Sequence, residues 1–340
     1  MMKHPIFIAA LLSSVLGFSE QLPILTDTSK ITPIAGPRVE EGADVFLTAD
    51  LIYWDAVQSG LGFLETIPTG LDDAVGQVYY PDFNFDAGFQ LGLGLQLGHD
   101  GWDITTNYTW FHPELRTQPF VDDNLSLRYA QLGNPSSSYV QGKCDFSMEL
   151  DVIDFSIGRN YFISEFTTLR PFAGLKVVWN EQKISQVFDD TIDNLFTIKN
   201  TQKAFGMGLR SGMDTFFKFN ENWSLYSTLA FDVLSYRVKN YLKGSDETNP
   251  SASILVQSED SQLVILPITE MSFGVLWDIW SDNEEYHLGV SGGYDFQYWN
   301  NHLYTIIPIF SDTSGELDKL MRKSGNLSIQ GINIRFRFDF

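Results

Sequence analysis

The chain has 340 residues, 43 acidic side chains against 22 basic ones, and a formal net charge of −21. So acidic a surface repels a polyanion and argues against nucleic-acid binding, and with Cys144 as its single cysteine the chain has no intramolecular disulfide framework or cysteine-based metal site. Aromatic residues at 14% separate it from acidic disordered chains.

The first segment, "MMKHPIFIAALLSSVLGFSE", places Lys3 before an apolar run that ends near residue 18 among small residues. That order predicts an export signal over 1–19. No other stretch holds 18 uninterrupted apolar residues, so no membrane-spanning helix is expected in the mature chain. Residues 20–43, with prolines and threonines and no clean period, are expected to form a periplasmic leader. The rest, 44–340, is expected to be one domain.

From residue 45 the sequence alternates. Val45, Leu47, Ala49, Leu51 and Tyr53 share one side, opposite Thr48 and Asp50. "FDAGFQLGLGLQLG" sets Phe85, Phe89, Leu91, Leu93 and Leu95 against Asp86, Gln90, Gln96 and glycines. Successive strand side chains point to opposite faces, whereas a helix would scatter this pattern. The alternation recurs around Trp102–Trp110, Ile153–Ile157, Leu169–Trp179, Phe205–Met213, Trp223–Val233, Met271–Ile279, Tyr286–Phe296 and Ile332–Phe340. That makes ten strands at least, and twelve or more if the segments at 76–80, 126–131 or 302–310 add hairpins.

The connections alternate as well. Long ones are expected at about 56–84, 112–146, 183–202, 239–262 and 298–325, and short ones at "HDG", "SEFTT", "NEN" and "SDNEE". An antiparallel up-and-down transmembrane β-barrel has this arrangement, with long loops outside and short turns on the periplasmic side. Tryptophans cluster near strand ends (Trp54, Trp102, Trp110, Trp179, Trp223, Trp277, Trp299), as interfacial girdles require, although Trp54 falls on the inward parity. The apolar face is therefore expected to meet outer-membrane lipid and the polar face a lumen. Phe340, a terminal aromatic, is expected to be recognised by the barrel-assembly machinery.

"FLTADLIYWDA", "FDAGFQLGLGLQL", "WDITTNYTWF", "DVIDFSIGRNYFIS", "LRPFAGLKVVW" and "FGMGLRSGMDTFF" together resemble the Legionella-type major outer membrane protein family, pore-forming proteins found also in chlamydia-like bacteria. The resemblance covers about 45–340. It implies an outer-membrane porin for small hydrophilic solutes and ions, and suggests a homotrimer. Cys144 alone cannot build the disulfide-linked network of the cysteine-rich chlamydial porin.

Signals for chemistry are weak. "WFHPEL" and "NNHLY" hold His112 and His302 at the start of outer loops, without a neighbouring aspartate to orient the imidazole. No nucleophile signature accompanies them, so no catalytic residue, cofactor or metal is expected. "VFDDTID" (Asp189, Asp190, Asp193) lacks the glycine and distal glutamate of a calcium loop. The inward charges carry more information. Asp50, Asp103, Asp154, Arg170, Lys176, Arg210, Asp214, Lys218, Asp232, Glu270, Asp295, Arg335 and Arg337 share the lumen parity. They either pair with one another and fill a narrow barrel or line a wet channel whose opposed charges set ion preference. Inward glycines point to width and the resemblance to a pore, so the channel is the favoured reading. The alternative is a non-conducting adhesin or structural barrel acting through its outer loops.

Overall fold

The structure, a computed structural model, describes residues 44–68, 77–97, 101–117, 120–121, 125–129, 139–190, 195–220, 222–247, 256–280, 287–310 and 317–340. The expected signal and leader, 1–43, lie outside these. The elements in chain order are β1 (Asp44–Gln58), β2 (Leu64–Pro68), β3 (Gln77–Tyr79), β4 (Phe85–Gln96), β5 (Trp102–Phe111), β6 (Glu114–Arg116), β7 (Phe120–Val121), β8 (Leu125–Tyr129), β9 (Tyr139–Arg159), β10 (Tyr161–Phe162), β11 (Thr167–Asp190), β12 (Leu195–Lys218), β13 (Trp223–Asp246), β14 (Val256–Trp280), β15 (His287–Phe310) and β16 (Leu317–Asp339).

Every pairing is antiparallel, and ten of the strands close on themselves in the order β1, β4, β5, β9, β11, β12, β13, β14, β15, β16 and back to β1. Closure runs from Phe46 opposite Asp339 to Gln58 opposite Leu327. A closed barrel satisfies all backbone hydrogen bonds between strands, which is why it can cross lipid. β10 pairs with the start of β11 at the inner end, and the other short strands decorate the outer end. β2 lies between β3 and β8, while β6 and β7 pair along β9. Of the segments expected to add hairpins, the described parts at 77–80 and 126–129 fall off the ring, and 302–310 belongs to β15.

Three of the expected long connections are mostly strand. β11 continues to Asp190 and β12 begins at Leu195; β13 continues to Asp246 and β14 begins at Val256; β15 reaches Phe310 and β16 begins at Leu317. The reason is a reversal of the hydrophobic face. In the lower part of β12, Phe205, Met207 and Leu209 point outward and Leu209 is 71% exposed, as lipid contact demands. Higher up, the outward face of β11 carries Glu181 and Lys183, while Ile184 and Phe188 on the inward face are buried. On β13, Val233 is the last outward apolar residue before Arg237 and Lys239, and Leu234, Tyr236, Val238 and Leu242 turn inward, none more than 2% exposed. β11 and β13 each turn apolar side chains to lipid below the interface and to the barrel core above it.

Aromatic residues mark both edges of the lipid belt. Trp179 lies 5.7 Å from Phe205 and Phe89 5.3 Å from Trp110 at the outer edge; Trp223 lies 6.4 Å from Trp277 and Phe338 5.9 Å from Phe340 at the inner edge. Trp54 and Trp299 are not girdle residues. Both point into the barrel, 1% and 0% exposed.

Candidate functional site

The site to be judged is the lumen. Its charged residues sit on the inner half of the ring, where strand alternation turns them inward, and they meet in groups. Arg170 of β11 donates to Asp103 of β5 through Nε, at 2.7 Å, and to Asp214 of β12 at 2.6 Å. Thr228 donates to the other oxygen of Asp214 at 2.7 Å. Higher in the barrel, Lys176, 2% exposed, lies 2.8 Å from Asp154, 2.7 Å from Glu270 and 3.4 Å from Asp232. Arg210 joins the same carboxylates, at 3.0 Å from Asp232 and 2.7 Å from Glu270. Two cations and three anions form one buried cluster drawn from β9, β11, β12, β13 and β14. Arg335 pairs with Asp50 at 2.6 Å. Arg337 pairs with Asp339 at 2.7 Å and lies 3.9 Å over the Phe46 ring. Asp295 accepts from Trp54 Nε1 at 3.1 Å and from Asn333 at 2.5 Å. Lys218 stands half-buried at the inner rim.

Of the thirteen charged residues named from the sequence as lumen-lining, twelve are held in ion pairs or hydrogen bonds to other side chains. Two of the inward glycines do not widen the lumen. A neighbour's ring occupies the space each leaves, Phe46 over Gly94 and Tyr236 over Gly206.

Above the charges the barrel is crossed. His302 of β15 has no exposed surface and sits at the centre of a polar network. Its Nε2 lies 2.6 Å from Asn180 of β11 and 3.2 Å from the Tyr236 hydroxyl of β13. Its Nδ1 lies 3.3 Å from Gln182 of β11 and 3.3 Å from Gln58 of β1, and its carbonyl accepts from Gln202 of β12 at 3.0 Å. β15 and β11 are four strands apart around a ring of ten, as are β11 and β1, so these contacts run across the lumen. Trp54, Trp299, Phe111, Met148, Leu150, Leu234 and Val178 pack around the network, each at most 1% exposed.

The sequence places His302 at a loop start; the structure puts it inside a strand. A register shift between Trp299 and Leu303, with Asn301 at a φ of 53°, turns it inward. Four residues of β15 there span two of β16, so alternation is broken locally and His302 and Leu303 are both buried. Asn180 and Gln182 extend the parity of Arg170 and Lys176 and were findable from it; Gln58 extends that of Asp50. His112 also departs from expectation, because β9 brings Asp151 within 3.4 Å of its Nε2, and Asp151 accepts from Tyr108 at 2.5 Å. This trio is on the outward face at the outer edge of the belt. Asp193 lies outside the described residues.

A model of one family, described as the Legionella pneumophila major outer membrane protein precursor, matches residues 37–340. The chain belongs to this family. It is a bacterial outer-membrane β-barrel. Comparison with curated protein sequences finds no match. Among solved structures, it is similar to the outer membrane protease OmpT of Escherichia coli, with 8% identity, a TM-score of 0.42, and coverage of 87% of this chain and 96% of that one. A major outer membrane protein of Thermus thermophilus gives 10% identity, a TM-score of 0.31 and coverage of 88% and 100%. The Pseudomonas putida toluene transporter TodX gives 11%, 0.30, and 88% and 90%. Likenesses this low say nothing of the chain's activity.

Proposed function

We propose that this family member is a structural surface barrel with a filled lumen, non-enzymatic, and exercising its function on its outer side. The observation that carries this reading is the His302 network with its apolar surround, which links nearly opposite strands of a ten-stranded ring. Barrels of about eight strands fill with side chains, whereas those of about 16–18 strands leave an aqueous channel, and ten strands stand nearer the first. Opening a path would mean separating Trp54, Trp299, Tyr236 and Met148, which have almost no exposed surface. Burying one such side chain contributes roughly 1.5–3 kcal/mol.

The second reading is a porin for small hydrophilic solutes and ions. It is favoured by the inner half of the lumen, where the Arg335 side chain is 46% exposed beside Asp50 and gives a charged vestibule. Conductance of the refolded protein in a planar bilayer separates the two. A filled barrel inserts, keeps heat-modifiable mobility and gives no steady current steps. Step-like openings whose ion preference changes with Arg170→Ala or Arg210→Ala would establish the porin instead.

A further inference from the structure

On the outward face just above the lipid belt, the chain gathers cations that the acids described around them do not neutralise. Lys183, Lys199, Lys203, Arg237, Lys239 and Lys243 all stand exposed on β11, β12 and β13. They are six of the chain's 22 bases, in a protein of net charge −21. Register places Lys199 directly opposite Lys243 and Lys203 directly opposite Lys239. Like charges directly opposite one another in an antiparallel pair are destabilising. A chain with 43 acids available nevertheless has two such pairs side by side. The acids that do face the patch are few. Glu181 lies 2.9 Å from Lys203 and 3.3 Å from Lys183, and Glu149 lies 3.1 Å from Lys183. Glu259 stands opposite Tyr241 across β13 and β14. Among the described residues Lys199, Arg237, Lys239 and Lys243 have no carboxylate in salt-bridge range.

The height of the patch is also informative. Arg237 is directly opposite Phe205, which packs on Trp179 at the outer edge of the belt. Lys203 and Lys239 come one outward step later, and Lys199 and Lys243 two steps beyond those. At about 3.3 Å per residue the cations span roughly 20 Å of strand beginning at the interface. An open groove of about 800 Å³ runs along Lys199, Thr201, Tyr241, Lys243 and Glu259. Arg237, Lys203 and Lys239, at the foot of this span, stand at headgroup height, next to the acyl chains that the belt contacts, and Lys199 and Lys243 reach above them.

We propose that this face binds phosphorylated lipid headgroups of the surrounding outer leaflet, the paired lysines sharing the phosphate oxygens. Polybasic surfaces beside a bilayer gain about 1 kcal/mol per cation from anionic lipid. The proposal rests on outer-membrane placement and is independent of whether the lumen conducts.

The test is native mass spectrometry of the detergent-refolded protein titrated with lipid A bearing two phosphates, with lipid A bearing one, and with inorganic phosphate. Lys199→Gln/Lys203→Gln/Lys239→Gln/Lys243→Gln removes only exposed side chains and should keep heat-modifiable mobility. The expected result is a half-saturating concentration of two-phosphate lipid A at least about tenfold higher than for the unmodified protein. The one-phosphate lipid should bind more weakly, and inorganic phosphate should not displace either. A charge-matched comparison of Lys203→Gln/Lys239→Gln with Arg116→Gln/Arg322→Gln should place the loss in the first pair alone. Equal lipid binding by the four-site variant and the unmodified protein overturns the proposal. So does equal loss in both double variants, or displacement of lipid A by inorganic phosphate at similar concentration, which would indicate a simple anion site.

Discussion

Lys176 shows how closely the lumen charges depend on one another. Three carboxylates, Asp154, Asp232 and Glu270, reach it within 3.4 Å, and it is 2% exposed. Lys176→Met leaves those acids with Arg210 alone as a cation. Removing one partner of a buried charge group costs about 3–5 kcal/mol, because the remaining charge is stranded. The urea midpoint of unfolding, followed by heat-modifiable gel mobility, should fall accordingly. Lys176→Met/Glu270→Gln should recover part of the loss. Asn301 offers a different test. Its φ of 53° lies in the left-handed region, where a β-branched side chain is strained by about 1–2 kcal/mol. Asn301→Gly should leave the midpoint nearly unchanged and Asn301→Val should lower it. These two residues also mark what single positions disclose in a sequence. Lys176 keeps a strict two-residue spacing from Arg170 through Phe172 and Gly174, so its side of the strand follows from alternation. His302 follows a bulge that no spacing announces, and its burial therefore depends on a backbone detail not written in the pattern.

Within a strand the informative feature is the change of face at the interface. Val233 and Tyr241 share the outward side of β13, but Val233 is in the belt, 55% exposed, and Tyr241 is beyond Arg237 and Lys239. Val233→Arg should destabilise the bilayer-embedded protein by about 2–4 kcal/mol if the site is near the midplane, less near the edge. Tyr241→Arg should be neutral to within about 0.5 kcal/mol, as for most surface changes. Leu242→Asp, turned into the core at 2% exposure, should be as damaging as Val233→Arg. Unfolding midpoints in lipid vesicles measure all three. The same reversal explains why the ten strands were readable and their lengths were not. In the belt, apolar residues alternate with glycines and charges, and the period is plain. Above it, "EQKISQVFDD" mixes apolar inward residues with polar outward ones after the parity of Trp179 has been set, so the stretch reads as a loop.

For the molecule as a whole, the seam between β1 and β16 determines whether the barrel exists at all. The last backbone bond of that seam runs from Phe340 N to Val45 O at 3.1 Å, while the Phe340 ring is outside, 49% exposed. Deleting Phe340 should barely shift the unfolding midpoint of protein already folded in vesicles. If its aromatic end is read during insertion, the same deletion should lower the amount of folded protein recovered from outer membranes several-fold. An unchanged yield would show that the terminal aromatic is packing alone.

The two tryptophans inside the barrel give the molecule an internal gauge. Of eight tryptophans, Trp54 and Trp299 are shielded from the bilayer by the strand wall and from bulk solvent by each other's surroundings. Their fluorescence should resist both brominated lipid and aqueous iodide, leaving a blue-shifted unquenched fraction. Any treatment that hydrates the interior would redden that fraction and expose it to iodide, so the emission of the resting protein reports the dryness of its own centre.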